Sequence, residues 1–189
     1  MTAIFFSGIS VAVAEPVKFE LDASHSQIIF SYNHLGFSTT TGMFSGFEGE
    51  ILFDQENPAN SSVKVAMPVL SMFTGWEARD QHFLSDDFFG ATTDNDLIEF
   101  TSTLIEVTGE NTAIITGDLS IVGVIQPVVL QTTLNKAGPF PFGPKAGTQT
   151  LGFDATTTLK RSDFNLGKFS PAVSDAVEIQ ISIEALQAD

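Results

Sequence analysis

The chain has 189 residues, a net charge of −15 from 23 acidic and 8 basic side chains, no cysteine and 18 phenylalanines. Its length favours one domain with a real core, and its acidity repels nucleic acid and anionic lipid head groups and excludes nucleic-acid binding. Eighteen phenylalanines beside one Trp and one Tyr exceed what a minimal core needs, which makes an internal apolar cavity a candidate feature.

The chain opens on an apolar run, AIFFSGISVAVAEP, that ends in Ala12-Val13-Ala14. This matches the apolar region and small-residue cleavage site of a secretory signal peptide over residues 1–14; a first buried strand is the competing reading. No Lys or Arg precedes the run, as expected of a truncated or misassigned start. Cleavage would leave a single domain, residues 15–189, exported to the periplasm or secreted, and the lack of cysteine is compatible with export without disulfides.

Strand patterns dominate from Lys18 onward. Ile28, Phe30 and Tyr32 alternate with Ile29, Ser31 and Asn33, and in FEGEILFD the residues Phe47, Gly49, Ile51 and Phe53 share one face while Glu48 and Glu50 take the other. Val63, Val65, Met67 and Val69 repeat the period. TGWEARDQHFLSDDFFG, residues 74–90, then breaks it with a short amphipathic helix. Thr74 and Glu77 fit a capping box, Trp76, Asp80 and Phe83 fall at helical spacing, and Gly90 ends the segment. Such a short helix needs its apolar side packed on something else.

Period-two runs resume with Ile98, Phe100 and Leu104, then Ile115, Leu119 and Ile121, then Val128, Leu130 and Leu134. KAGPFPFGPKAG, residues 136–147, is expected as a mobile rim with two exposed Phe. Leu151, Phe153, Ala155 and Leu159 follow, and Val177, Ile179, Ile181 and Ile183 close the series. Clean alternation means one buried and one wet face. About eight such runs predict an all-β fold, either an up-and-down barrel or a sandwich. Closure removes exposed edges, and an eight-stranded barrel is wide enough for one small ligand.

Candidate chemistry is sparse. His25, His34 and His82 are the right ligand type for zinc, but the first two are nine apart and would face opposite sides of one strand. No H-x-H or H-E-x-x-H spacing occurs, so no metal site is expected. Arg79, Asp80 and His82 crowd the helix, yet adjacent helical positions diverge. No nucleophile elbow accompanies them, so no catalytic residues are expected. Arg161 is read as a buried cation paired with a carboxylate, or alternatively as a surface charge at a turn.

The residues also carry a family resemblance. LDASHSQIIFSYNHLGFSTTTGMFSGFEGEILFD contains D-x-x-H-S, H-x-G-F-S and G-x-F-x-x-F-x-G elements. RDQHFLSDDFFG, IEFTST, GDLSIVGVIQPVVL, LKRSDFNLG and VSDAVEIQISIE follow in order. Together they resemble the YceI-like proteins from about Lys18 to Ala185. The sequence departs from that pattern at Asn95-Asp96, where the family has Tyr-Pro, and at Ile125-Gln126, where it has Thr-Lys. The resemblance implies an eight-stranded antiparallel lipocalin-like barrel with a short helical insert. It implies a non-enzymatic, periplasmic protein that binds a long-chain isoprenoid lipid in an internal tunnel and needs no cofactor.

Under this reading the ligand-binding candidates are Phe30, Tyr32, Phe37, Phe44, Phe47, Met67, Met72, Phe73, Trp76, Phe83, Phe88, Phe89 and Phe100. Taken singly, each aromatic is equally a core residue. Arg79 and His82 are candidates for a polar rim. The scarcity of cations favours an uncharged, quinone-like head group, and the exposed loop aromatics suggest transient membrane contact. The alternative is an exported β-sandwich that binds protein or carbohydrate on its outer surface.

Overall fold

The computed structural model describes residues 15–188. The expected signal peptide lies outside the described residues. Ten strands form one antiparallel sheet: β1 (Val17–Leu21), β2 (Gln27–His34), β3 (Ser38–Phe44), β4 (Glu48–Phe53), β5 (Ser62–Pro68), β6 (Leu97–Val107), β7 (Thr112–Ile121), β8 (Val124–Pro139), β9 (Gln149–Lys160) and β10 (Ala176–Gln187). Among the described residues a single α-helix, α1 (Glu77–Leu84), lies in the crossover from β5 to β6.

Closure comes from β1, which pairs with β4 on one side and with β10 on the other. The strands β1, β4, β5, β6, β7, β8, β9 and β10 therefore form an eight-membered ring without a free edge. The sheet closes as a barrel and does not split into a sandwich. The additional strands come from two chain breaks. β2 continues along the same edge of β10 that β1 occupies, with Leu21 opposite Ala185 and Gln27 opposite Ser182. β3 pairs with β2 much as β4 pairs with β1. The β2–β3 hairpin thus prolongs the wall at one end, and the edge of β3 is met by Phe73, whose N–H and C=O exchange 2.9 Å bonds with Met43.

The break between β1 and β2 is held by Asp22. Its carboxylate accepts from Ser24 N–H (3.1 Å) and from Lys145 Nζ (2.7 Å), and lies 2.9 Å from His25 Nδ1. His25 therefore bonds locally at the strand start. Lys145 sits in the turn between β8 and β9, so the rim expected to be mobile is pinned to the barrel. Of its two phenylalanines only Phe142 is strongly exposed; Phe140 is half-buried and meets it edge-on at 5.9 Å.

Burial alone would raise the Asp22 pKa, but the bonds from Lys145, Ser24 and His25 outweigh it and hold the carboxyl well below the usual range. A depressed native pKa adds stability above the unfolded value, near pH 4, which is lost as pH falls through the native value. Lys145→Ala should therefore cost about 1 kcal/mol at pH 7 and much less near pH 2. Urea melts at the two pH values would show this, and equal losses at both would refute the ion pair's role.

Among the residues placed inward from sequence, Leu104 alone departs from the alternation; a second slip, of β8 on β9 between Leu134 and Lys136, lies beyond them. The register of β6 on β7 slips between Ser102 and Leu104. An extra residue reverses the faces beyond it, so Leu104 is exposed and Ile105 turns inward.

Candidate functional site: an apolar cavity through the barrel

The barrel encloses a cavity of about 310 Å³. At one end its walls reach the β6–β7 turn at Gly109, Glu110 and Asn111, and the β4–β5 connection at Pro58 and Ser61, with the first residues of β5 and β7, Ser62 and Thr112, beside them. At the other end it stops against Phe83 and Phe88 of the helical insert and against Phe164, Leu166 and Val173 of the β9–β10 connection.

Of the residues proposed from sequence, Phe30, Tyr32, Phe44, Phe47, Met67, Met72, Phe83, Phe88, Phe89 and Phe100 line this space. They converge from distant segments. Phe83 stands edge-on to Phe30 (6.3 Å) and Tyr32 (5.8 Å), Phe89 to Phe44 (6.3 Å), and Phe83 to Phe88 (4.9 Å). These T-shaped contacts seat the insert on the β2–β3 extension. Two glycines make flat packing feasible: a Cβ on Gly42 would lie 2.3 Å from the Phe30 ring, and one on Gly117 2.4 Å from Phe100.

Phe37, Phe73 and Trp76 do not line the cavity. Phe37 is 88% exposed in the β2–β3 turn. Phe73 follows inward-facing Met72 in extended backbone, where neighbours take opposite faces, and is exposed. Trp76 is the N-cap residue of α1 with extended φ and ψ, and its ring lies outside, 5.8 Å from the Arg79 guanidinium.

The capping box is absent, because α1 starts at Glu77 and Trp76 occupies the cap position. Arg79 and Asp80 do not act apart either. The chain before α1 turns back at Gly75, φ +81°, and brings buried Thr74 over the first helical turn. Asp80 Oδ1 accepts from Thr74 N–H (2.9 Å) and from its hydroxyl, while Arg79 donates from Nε to Thr74 Oγ1 (2.9 Å) and from Nη2 to Thr74 O (2.8 Å). Both side chains are spent on one threonine. Arg79 does not pair with Asp86 or Asp87; His82 Nε2 lies 3.0 Å from Asp87, which also accepts from Lys168. His82 faces the outside of the insert, with Phe88 on its inner side at 5.2 Å.

Sequence reasoning missed much of the wall. Val177, Ile179, Ile181 and Ile183 all line the cavity, as do Ile115, Leu119 and Ile121. Their alternation was visible, but aliphatic periodicity cannot distinguish filled core from lined space. Arg161 is half-buried at the insert end, 5.8 Å from the Phe88 ring. Carbonyl oxygens meet it in place of the expected carboxylate: Nε donates to Ser174 O (2.9 Å), Nη2 to Val173 O (3.0 Å), and Nη1 to Leu166 O and Lys168 O. Asp175 instead accepts from Ser162 N–H (2.8 Å) and hydroxyl (2.6 Å). Burial lowers the Arg161 pKa, opposed by Asp175 and Tyr32.

Arg161→Ala should cost about 2–4 kcal/mol by orphaning these carbonyls. Arg161→Lys should recover less than half, since an ammonium lacks the guanidinium fork. A loss under 0.5 kcal/mol in urea denaturation would remove Arg161 as the organiser of this connection.

The three histidines are dispersed: His25 beside Asp22, His34 at the end of β2, and His82 on α1. Asp22, His25 and Glu184 bring one ligand atom each within 4.8 Å of one another, but Lys145 already supplies a cation there.

Residues 19–185 match the family model of the YceI-like domain. The chain belongs to the YceI-like family. A UPF0312 protein of Ectopseudomonas mendocina (strain ymp) is 36% identical over 176 residues, covering 93% of this chain and 90% of that relative. Among solved structures, BcnA of Burkholderia cenocepacia superposes with a TM-score of 0.76 at 26% identity, over 87% of this chain and 98% of that one. A polyisoprenoid binding domain from Saccharophagus degradans superposes with a TM-score of 0.68 over 91% of this chain and 99% of that domain. At 14% identity this last likeness is one of fold alone.

Proposed function

We propose that this YceI-like protein is a binding protein that takes up a long-chain isoprenoid lipid of quinone or polyprenyl type, and sequesters or transports it through the periplasm. The observation that carries the reading is the cavity, walled almost wholly by aliphatic and aromatic side chains and reaching from one barrel mouth to the helical insert. Its fold relationship to a polyisoprenoid binding domain supports the ligand class. An unbranched polar metabolite would leave such walls dry and its own polar groups unpaired.

Each buried methylene contributes roughly 0.8 kcal/mol. A tail of several isoprene units therefore supplies ample gross energy, which ordering costs and competition from a bilayer reduce. Specificity then rests on tail length and on the head group. Exposed Phe37, Trp76 and Phe142 offer transient membrane contact for loading.

Organic extraction of the purified protein followed by mass spectrometry tests the proposal. One isoprenoid species in near-stoichiometric amount is the expected result. A polar metabolite, or a protein that stays empty when offered isoprenoids of several lengths, would overturn it.

A further inference from the structure

The ring of the barrel has no free edge, but its extension does. Among the described residues β3 is the one strand with a neighbouring strand on a single side, β2. Its other side is met only at Met43, by Phe73. Residues two apart on a strand turn their backbone groups the same way, so Thr41 and Thr39 present N–H and C=O outward in line with Met43. Among the described residues nothing bonds to them there, and both are exposed.

This edge is also neutral. Residues 23–47 contain no Asp, Glu, Lys or Arg, in a chain whose net charge is −15. Ser38 to Gly42 therefore carries none of the charges, prolines or bulges that commonly guard an edge. Two acidic copies repel one another over most of their surfaces and approach with least repulsion where neither is charged.

We propose that two copies of this chain pair edge to edge through β3, antiparallel about a twofold axis at Thr40. Thr39 of each copy then exchanges N–H···O bonds with Thr41 of the other, and Ser38 falls opposite Gly42. The register is set by what stops the strand at either end. β3 begins at Ser38, after the β2–β3 turn, and the edge beyond Gly42 is already taken by Phe73. The strand of each copy therefore fills the bare stretch of the other. The same register brings Phe37 of one copy to Phe73 of the other. At 88% and 60% exposed, both leave apolar surface in water that pairing removes. Phe142, on the β8–β9 turn, is left for membrane contact. An interface this short belongs with the small, reversible ones, so a dissociation constant of roughly 1–100 μM is expected.

Sedimentation velocity on the purified protein, at concentrations spanning that range, reads the dimer directly. Wild type should pass from monomer to dimer. Thr39→Lys combined with Thr41→Lys sets like charges opposite each other and should weaken the dimer about tenfold or more. Thr39→Lys combined with Thr41→Glu sets opposite charges together in the same register and should restore the dimer. Both positions are exposed, so circular dichroism should show both variants folded as wild type. A wild type that stays monomeric throughout, its edge left for a strand of some other protein, would overturn the proposal. So would a dimer indifferent to the paired lysines, which must use another surface. Failure of the lysine–glutamate variant to regain the dimer would overturn it too, because that rescue requires Thr39 to face Thr41.

Discussion

Phe47→Ala is expected to destabilise the protein by about 3–5 kcal/mol, which for a chain of this size lowers the melting temperature by roughly 10–15 °C. Phe47 is 1% exposed and lies between β3 and β4, where the wall turns from the barrel proper into its extension. It belongs to the main core cluster, which also holds Phe44 and Met72. Truncation removes a large buried ring at a point where neighbours tied into the sheet cannot collapse inward. Thermal melts of the purified variant would settle the matter; a loss below 1 kcal/mol would mean that the ring is not what secures the bend. A charge at Phe47 is for the same reason a poor probe of lipid uptake, because unfolding would precede any effect on binding.

Ala155→Phe is expected to cut lipid loading at least tenfold while the barrel stays folded. Ala155 faces the cavity on β9, opposite Thr132 on β8 and Ile181 on β10. A benzyl group there projects into open space and not into packed neighbours, so the fold should lose no more than the 1–3 kcal/mol usual for an enlarged core residue. Thr156→Phe is the control, because the next residue on β9 points to the outer face and is exposed. Lipid content per protein, measured by mass spectrometry alongside circular dichroism, separates the two. Normal loading in folded Ala155→Phe would move the ligand away from this part of the barrel.

These variants differ in how visible their targets were beforehand. Phe47 and Ala155 were both placed inward by period-two alternation, but nothing in the pattern said that both border unfilled space. Thr132 falls in the inward register of Leu130 and Leu134, where a polar residue looks like noise in the repeat. Leu104 was misplaced because a bulge adds a residue and reverses the faces after it, a local event that leaves no mark in hydropathy. Thr74, Glu77, Arg79 and Asp80 were misread for a related reason: helical geometry was applied to a segment whose first residues curl back at Gly75.

The sequence by itself determined the all-β class, the inward face of nearly every strand, the presence of one short helix and the family. These follow from local chain geometry and residue order, since alternation and helical spacing are properties of neighbours along the chain. Tertiary structure alone decided that β1 closes the ring against β10, that a cavity remains inside it, and that Phe37, Phe73 and Trp76 stand outside while Thr132 stands within. Those outcomes depend on which distant surfaces meet and how completely they fill the space between them, and volume left unfilled is a property of no single segment.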